Sequence, residues 1–276
     1  MEKLKVVILV SDDLVWSYPT WSRALARLNQ RFHFTGIGLF PRKTGKKKGF
    51  PSLFWYLKTF GFASTCILAG YALKSRLSGS FFLIKPWESL ARQFHLDLIR
   101  DSDPNSKQVG KWLRDQNADV VLSNVGHILK KSLIDIPKLG CINKHAALLP
   151  SCRGLFPYFW ARLHDIDTGI TFYRIDENID CGPILYQMEY PYGPDAKVYS
   201  LLRFYIDVFS LFPIMVERSL DSLIQGKFFK PYPGIEDSYF SLPTRKDYLA
   251  YEKKGYKIAK TSDLFYTPPS NLESQL

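Results

Sequence analysis

The sequence predicts an α/β fold, a mostly parallel sheet covered by helices on both faces. Three observations carry this. Val6 to Val10 is an unbroken apolar run of strand length, followed at once by Ser11-Asp12-Asp13. Asp119 to Leu122 and Gly140 to Asn143 are two further short runs of buried-strand character. Helical stretches lie between such runs, and this alternation builds doubly wound sheets, whose ligands sit beyond the carboxyl ends of the strands.

Taken in order, Val6 to Val10 is the first strand, and a helix follows over 16–28 with apolar residues at helical spacing. Phe32 to Phe40 is the second strand and Leu96 to Arg100 a short third one. Pro104 opens a helix that ends near Asn117, after which come the strands at 119–122 and 140–143. Pro183 to Tyr190 reads as another strand. Val198 to Gln225 is helical, with a break expected at Pro213, because an interior proline removes a backbone bond. A short helix starts at Thr244, where Thr244-x-x-Asp247 has capping-box spacing and Gly255 suits the far end. From Thr261 the chain is polar and expected to fray. The organisation expected is a main domain over 1–226 and a small C-terminal extension over 227–276, too short for an OB-type barrel.

Ser52 to Leu73 is apolar enough to raise the question of a membrane, but Lys58, two glycines and several hydroxyl residues make it a weak spanning helix. Basic residues flank it, Lys46 to Lys48 before and Lys74 and Arg76 after. Contact of residues 46–76 with an anionic lipid surface is one reading. A pair of helices docked on the sheet, or buried in a homodimer contact, is the favoured one.

With 276 residues, 46% of them hydrophobic and 15% aromatic, the chain can bury a large core, which argues against disorder. The net charge of +11 suits nucleic acid, an anionic membrane or acidic small molecules, and does not choose among them. Cys66, Cys141, Cys152 and Cys181 form no C-x-x-C pair and no metal-ligand spacing with histidine. Reduced thiols, no metal and a cytoplasmic location are expected. The five-residue apolar run near the start is too short for a secretory signal. No Gly-x-Gly-x-x-Gly follows any strand, so a dinucleotide gets no support.

The chemistry concentrates between Gly140 and Gly182. Asn143 and His145 stand two apart at a strand end, so both side chains leave the same face. A carboxamide donates hydrogen bonds to a developing oxyanion, and an imidazole moves a proton near neutral pH. Asp180, on a turn closed by Gly182 and Pro183, is placed to orient the histidine. Such a trio suits acyl transfer directly from donor to acceptor. Each residue also has a plain structural use, since Asn and Asp cap turns and a single histidine is commonly a core residue.

The order Asn143-x-His145-x-x-Leu148-Leu149-Pro150, Arg153-Gly154, Thr168-Gly169-Ile170-Thr171, Asp180-x-Gly182-Pro183 resembles the folate-dependent formyltransferase family. Its members include glycinamide ribonucleotide, methionyl-tRNA and amino-sugar formyltransferases. The resemblance implies a Rossmann-like fold and N10-formyltetrahydrofolate as formyl donor. It makes Asn143 the oxyanion donor, His145 the proton carrier and Asp180 the residue that positions His145. It places the pterin against Gly126, Ile128 and Leu129 and against Asp176, Glu177, Asn178 and Ile179. It assigns Arg153, Gly154 and Tyr158 to substrate. Two positions depart from the family pattern: Ala147 stands where serine is common, and Gly126 where a bulkier residue is common.

For the acceptor amine, the short C-terminal extension counts against tRNA. The apolar 52–73 segment and the tail count against glycinamide ribonucleotide. An N-terminal regulatory domain like that of deformylating relatives is not expected, because the first strand begins at once. Phe156-Pro157-Tyr158-Phe159-Trp160-Ala161 looks closest to amino-sugar enzymes, so a nucleotide-linked amino sugar is the favoured acceptor. A methionyl-tRNA substrate is the alternative. A third reading, from a different class, is a non-catalytic membrane-surface or scaffold protein that keeps the fold.

Overall fold

The computed structural model describes residues 3–43, 45, 50–79, 85–190 and 200–268. The basic run Lys46 to Lys48, the first two residues of the helix expected from Val198, and the tail beyond 268 lie outside the described residues.

Among the described residues seven strands form the main sheet: β1 (Lys5–Ser11), β2 (His33–Phe40), β3 (Asp97–Arg100), β4 (Val120–Asn124), β5 (Cys141–His145), β7 (Gly169–Arg174) and β8 (Ile184–Glu189). Their order is β3-β2-β1-β4-β5-β7-β8. The first five are parallel, while β7 runs antiparallel to β5 and β8 antiparallel to β7. Chain order reverses direction across the β1–β4 junction, which opens a crevice at the carboxyl ends of those strands. A separate two-stranded ladder joins β6 (Arg153–Gly154) to β9 (Tyr239–Phe240).

Helices cover both faces because the central strands are apolar on both sides. One face of β1 packs Val6, Ile8 and Val10 under α1 (Ser17–Leu28) and α7 (Leu201–Ile224). The other packs Val7 and Leu9 with Val109, Leu113, Leu133 and Ile134 from α4 (Lys107–Asp115) and α5 (Lys131–Ile134). Trp21 of α1, fully buried, meets Phe212 of α7 edge to face at 5.0 Å.

Three expectations are corrected. The helix expected from Pro104 begins instead at Lys107, capped by Ser106, whose hydroxyl accepts from the Val109 amide at 3.2 Å. Helix α7 runs unbroken through Pro213. The carbonyl that Pro213 leaves without its helical donor is that of Phe209, and an Arg23 guanidinium nitrogen donates to it at 3.3 Å. Burial of Leu211, Phe212, Met215 and Val216 against the sheet holds the helix across that position. The tail is not frayed at Thr261. Thr261–Phe265 forms a 3-10 turn in which Asp263 is fully buried and accepts from the Ser200 hydroxyl and the Lys260 amide.

The apolar segment forms α2 (Phe50–Gly79), two helices meeting at Gly61, whose φ of 80° lies in the left-handed region. Its main packing partners are not the sheet but the C-terminal elements. Phe60 packs on Tyr248 of α8 (Arg245–Lys253) at 5.5 Å, and Arg245 donates to the Thr59 carbonyl at 3.1 Å, closing the end of the first half. Lys74 donates to the Leu264 carbonyl. Phe54 and Phe62 remain 67% and 78% exposed. Among the described residues no helix is long and apolar enough to cross a membrane. Thr244 caps α8 through the reciprocal bonds with Asp247 that its spacing foretold.

Candidate active site

β5 delivers Asn143 and His145 to the carboxyl edge of the sheet. Antiparallel pairing sets Asn143 opposite Tyr173 and His145 opposite Thr171. One face therefore carries Asn143, Tyr173 and His145 together, and the turn after β7 brings Asp180 back to them. Asn143 donates through its amide nitrogen to the Tyr173 hydroxyl at 2.9 Å, and Tyr173 donates to Asp180 Oδ1 at 2.7 Å. The second amide N–H of Asn143 has no acceptor among the described residues, so the carboxamide is oriented but still has a donor to offer.

His145 is 6% exposed. Its Nε2 lies 2.8 Å from the carbonyl oxygen of Cys152. A carbonyl only accepts, so Nε2 carries the proton and Nδ1 of the neutral ring is bare. Nδ1 faces Asp180 Oδ2 at 3.7 Å, wider than a hydrogen bond. Burial pushes the imidazole below its usual pKa, partly offset by the Asp180 carboxylate and the Cys152 carbonyl. The resting histidine is thus a neutral base with a carboxylate poised beside the nitrogen that would receive a proton. Tyr173 is held well above its ordinary pKa, first by burial and then by Asp180, so it stays a hydrogen-bond donor.

The Asp180 turn is built from several sides. Asp180 adopts a φ of 53°, and its Oδ2 accepts from the Gly154 amide at 2.8 Å. Arg153 grips Asp237 through two bonds of 2.8 and 3.0 Å while donating to Cys181 Sγ at 2.8 Å. Ser238 accepts from the Cys152 amide at 2.9 Å. In this way residues 237–240 fasten the loop that carries the Cys152 carbonyl to the turn that carries Asp180. Thr171 donates to the Ala147 carbonyl at 2.7 Å and accepts from the Leu149 amide, pinning the loop after His145. Gly182 sits against β7 so closely that a Cβ would lie 1.7 Å from the Arg174 carbonyl oxygen. Gly182→Ala is expected to cost about 2 kcal/mol of stability through forced displacement of this turn, read as a fall in the denaturant midpoint.

His145, Gly154 and Gly126 line a cleft of about 520 Å³ at the carboxyl ends of β1, β4 and β5, roofed by α2 and walled by α7. Asn143 and Asp180 are not among its walls. The remaining candidates scatter. Leu129 is buried in the α4–α5 side of the core, and Ile128 is 71% exposed nearby. Asp176 and Glu177 border a separate hollow beside α5, where Glu177 pairs with Lys131 at 3.3 Å. Asn178 donates its amide to Asp176, and Ile179 is exposed. Tyr158 lies in the core, fully buried and stacked on Phe204 at 4.2 Å, and is not among the residues lining the cleft. Ala147 is fully buried and reaches its neighbours through its carbonyl, so the missing hydroxyl leaves the loop intact. The residue the sequence reading missed is Tyr173. Alternation puts Tyr173 on the same face of its strand as Thr171, but its pairing with Asn143 is set by the β5–β7 register.

Residues 88–203 match the formyl transferase family profile. In the solved structures, a sugar N-formyltransferase from Shewanella sp. FDAARGOS_354 superposes with a TM-score of 0.55 at 16% identity, covering 91% of this chain and 87% of that one. The phosphoribosylglycinamide formyltransferase of Streptococcus pneumoniae TIGR4 gives 0.51 at 14% identity, covering 81% and 99%. The fold is the formyltransferase fold. Among curated proteins, the methionyl-tRNA formyltransferase of Geobacter sulfurreducens is 33% identical over 144 residues, 51% of this chain and 44% of that protein. That of Myxococcus xanthus is 30% identical over 172 residues, 62% and 54%. The chain thus spans about half the length of the curated formyltransferases it matches. The matched segment of this formyltransferase-like chain contains Asn143, His145, Tyr173 and Asp180.

Proposed function

We propose that the protein transfers a formyl group from N10-formyltetrahydrofolate to a primary amine, with a nucleotide-linked amino sugar as the acceptor. The observation that carries the reading is the joined set Asn143–Tyr173–Asp180 with a neutral His145 beside it, which itself lines a cleft. The donor supplies an electrophilic formyl carbon. Asn143 presents its spare N–H to the oxygen of that group as negative charge builds there. His145 Nδ1 takes the proton released as the amine adds, and the imidazolium so formed is held by Asp180 and returns the proton to the departing nitrogen. Tyr173 keeps the carboxamide and the carboxylate in register. No serine or cysteine nucleophile is required, and the Cys152 thiol, pushed by burial up to about 11, is unsuited to be one.

A cleft of about 520 Å³ with Arg42 and Lys43 on its rim suits a small anionic molecule. Methionyl-tRNA is the second reading, favoured by the similarity of part of the chain to methionyl-tRNA formyltransferases. Spectroscopic detection of tetrahydrofolate release against a panel of nucleotide-linked amino sugars, with charged initiator tRNA in parallel, separates the two. Release that depends on one sugar and vanishes in His145→Ala is the expected result. Release with tRNA alone would replace the acceptor, and failure to bind folate at all would return the non-catalytic reading.

A further inference from the structure

Between Asn143 and His145 on β5 stands Lys144, whose side chain leaves the opposite face of the sheet. It is set against Phe172 in the strand register, and its ammonium lies 4.2 Å from the centroid of the Phe209 ring of α7. Phe209 stacks on Trp16 at 5.1 Å, and Trp16 stacks in turn on Tyr71 at 5.1 Å. These rings, with Tyr205 and Leu202, form the apolar part of the cleft that His145 borders, and Lys144 lines the same space. Among the described residues no carboxylate lies within ion-pair distance of Lys144, whereas Arg42 on the rim is paired with Asp13 at 3.6 Å. A ring face compensates an ammonium only in part, and a cation in apolar surroundings calls for an opposite charge. The fold supplies one half of an ion pair at the wall of an open cleft.

We propose that Lys144 anchors an acidic group, a carboxylate or a phosphate, of the acceptor, whose body lies along the wall formed by Trp16, Tyr71, Tyr205 and Phe209. The proposal rests on the formyl-transfer reading and adds to it the seat and the charge of the acceptor. The donor's own carboxylates are a second source of the same chemistry, and the two faces of β5 argue against them. Leu129 packs with α4 and α5, and Glu177 pairs with Lys131 of α5, so these two positions assigned to the donor lie across the sheet from Lys144; of the seven assigned to it, Gly126 alone lines the cleft. An acceptor held on the α1–α7 side and a donor on the α4–α5 side would meet at the strand end, where His145 stands.

Isothermal titration calorimetry with inorganic pyrophosphate as the probe, near pH 7, tests this on the full chain, with 5-formyltetrahydrofolate titrated separately. The wild type is expected to bind pyrophosphate saturably. Lys144→Met should weaken that binding at least about tenfold, and Lys144→Arg should retain it within about threefold. Folate affinity should stay within about twofold in both variants. Pyrophosphate binding unchanged in Lys144→Met, or absent from the wild type, would overturn the proposal. Loss of folate affinity in Lys144→Met would overturn it too, by moving Lys144 to the donor. Binding of pyrophosphate that depends on Lys144, together with no folate binding at all, would sink the formyl-transfer reading and leave the anion seat standing.

Discussion

Replacing His145 with alanine is expected to lower kcat at least about a hundredfold while folate affinity stays near the wild-type value. The ring contributes two things that alanine cannot. One is the bare Nδ1 beside Asp180, and the other is the Nε2–H that steadies the Cys152 carbonyl. In the proposed reaction only the first belongs to the chemical step, so the loss should appear in kcat rather than in donor binding. Asn143→Ala is expected to behave likewise, losing about 3 kcal/mol of transition-state stabilisation with the oxyanion donor. Single-turnover formyl transfer in both variants, compared with folate binding by calorimetry, checks the pair. Turnover like that of the wild type in either one excludes the trio from the chemistry.

The second large effect concerns stability and Lys144. Its apolar and aromatic surroundings hold the ammonium down to about 8 from an ordinary 10.5. Between those two values the unfolded chain binds a proton that the folded chain has released. Stability contributed at this position therefore rises with pH across that window, and the folded state bears its full penalty below it. Lys144→Met is expected to be more stable than the wild type near neutral pH by up to about 3 kcal/mol. The difference should close as pH approaches 10.5. Denaturant unfolding of both proteins at a series of pH values checks it. A constant difference across the window would show that Lys144 carries no such penalty. The gain expected from methionine also makes that variant a folded reporter for the anion-binding experiment.

The architecture was legible because burial on both faces leaves an unmistakable mark. The first strand is apolar at every position from Val6 to Val10, and only a central strand of a helix-covered sheet tolerates that. The positions of Asn143 and His145 on one face follow from strand alternation alone. What escaped were the features set by distant partners. Tyr173 joins Asn143 to Asp180 because an antiparallel strand meets β5 in one particular register, which local sequence does not encode. The sequence around Pro213 predicts a break because the rescue of the Phe209 carbonyl comes from Arg23, 186 residues away. The family resemblance makes Tyr158 a substrate contact, whereas its place against Phe204 is decided by how α6 (Pro157–Leu163) docks on α7. The polar sequence around Asp263 predicts a frayed tail because its partner, Ser200, lies before α7.

The clasp between residues 237–240 and the Cys152–Gly154 loop sets an order of events during synthesis. Chains are made from the amino end, and the strands of the sheet are complete once β8 has emerged. At that moment Arg153 still lacks Asp237, the Cys152 amide lacks Ser238, and β6 has no strand to pair with. Another fifty-odd residues must leave the ribosome before the turn bearing Asp180 is clamped, and more still before α8 supports the roof helix. A nascent chain interrupted short of that point would hold a nearly finished sheet with the Asp180 turn unclamped. Assembly of the Asp180 turn thereby waits on residues 237–240, whatever the state of the sheet.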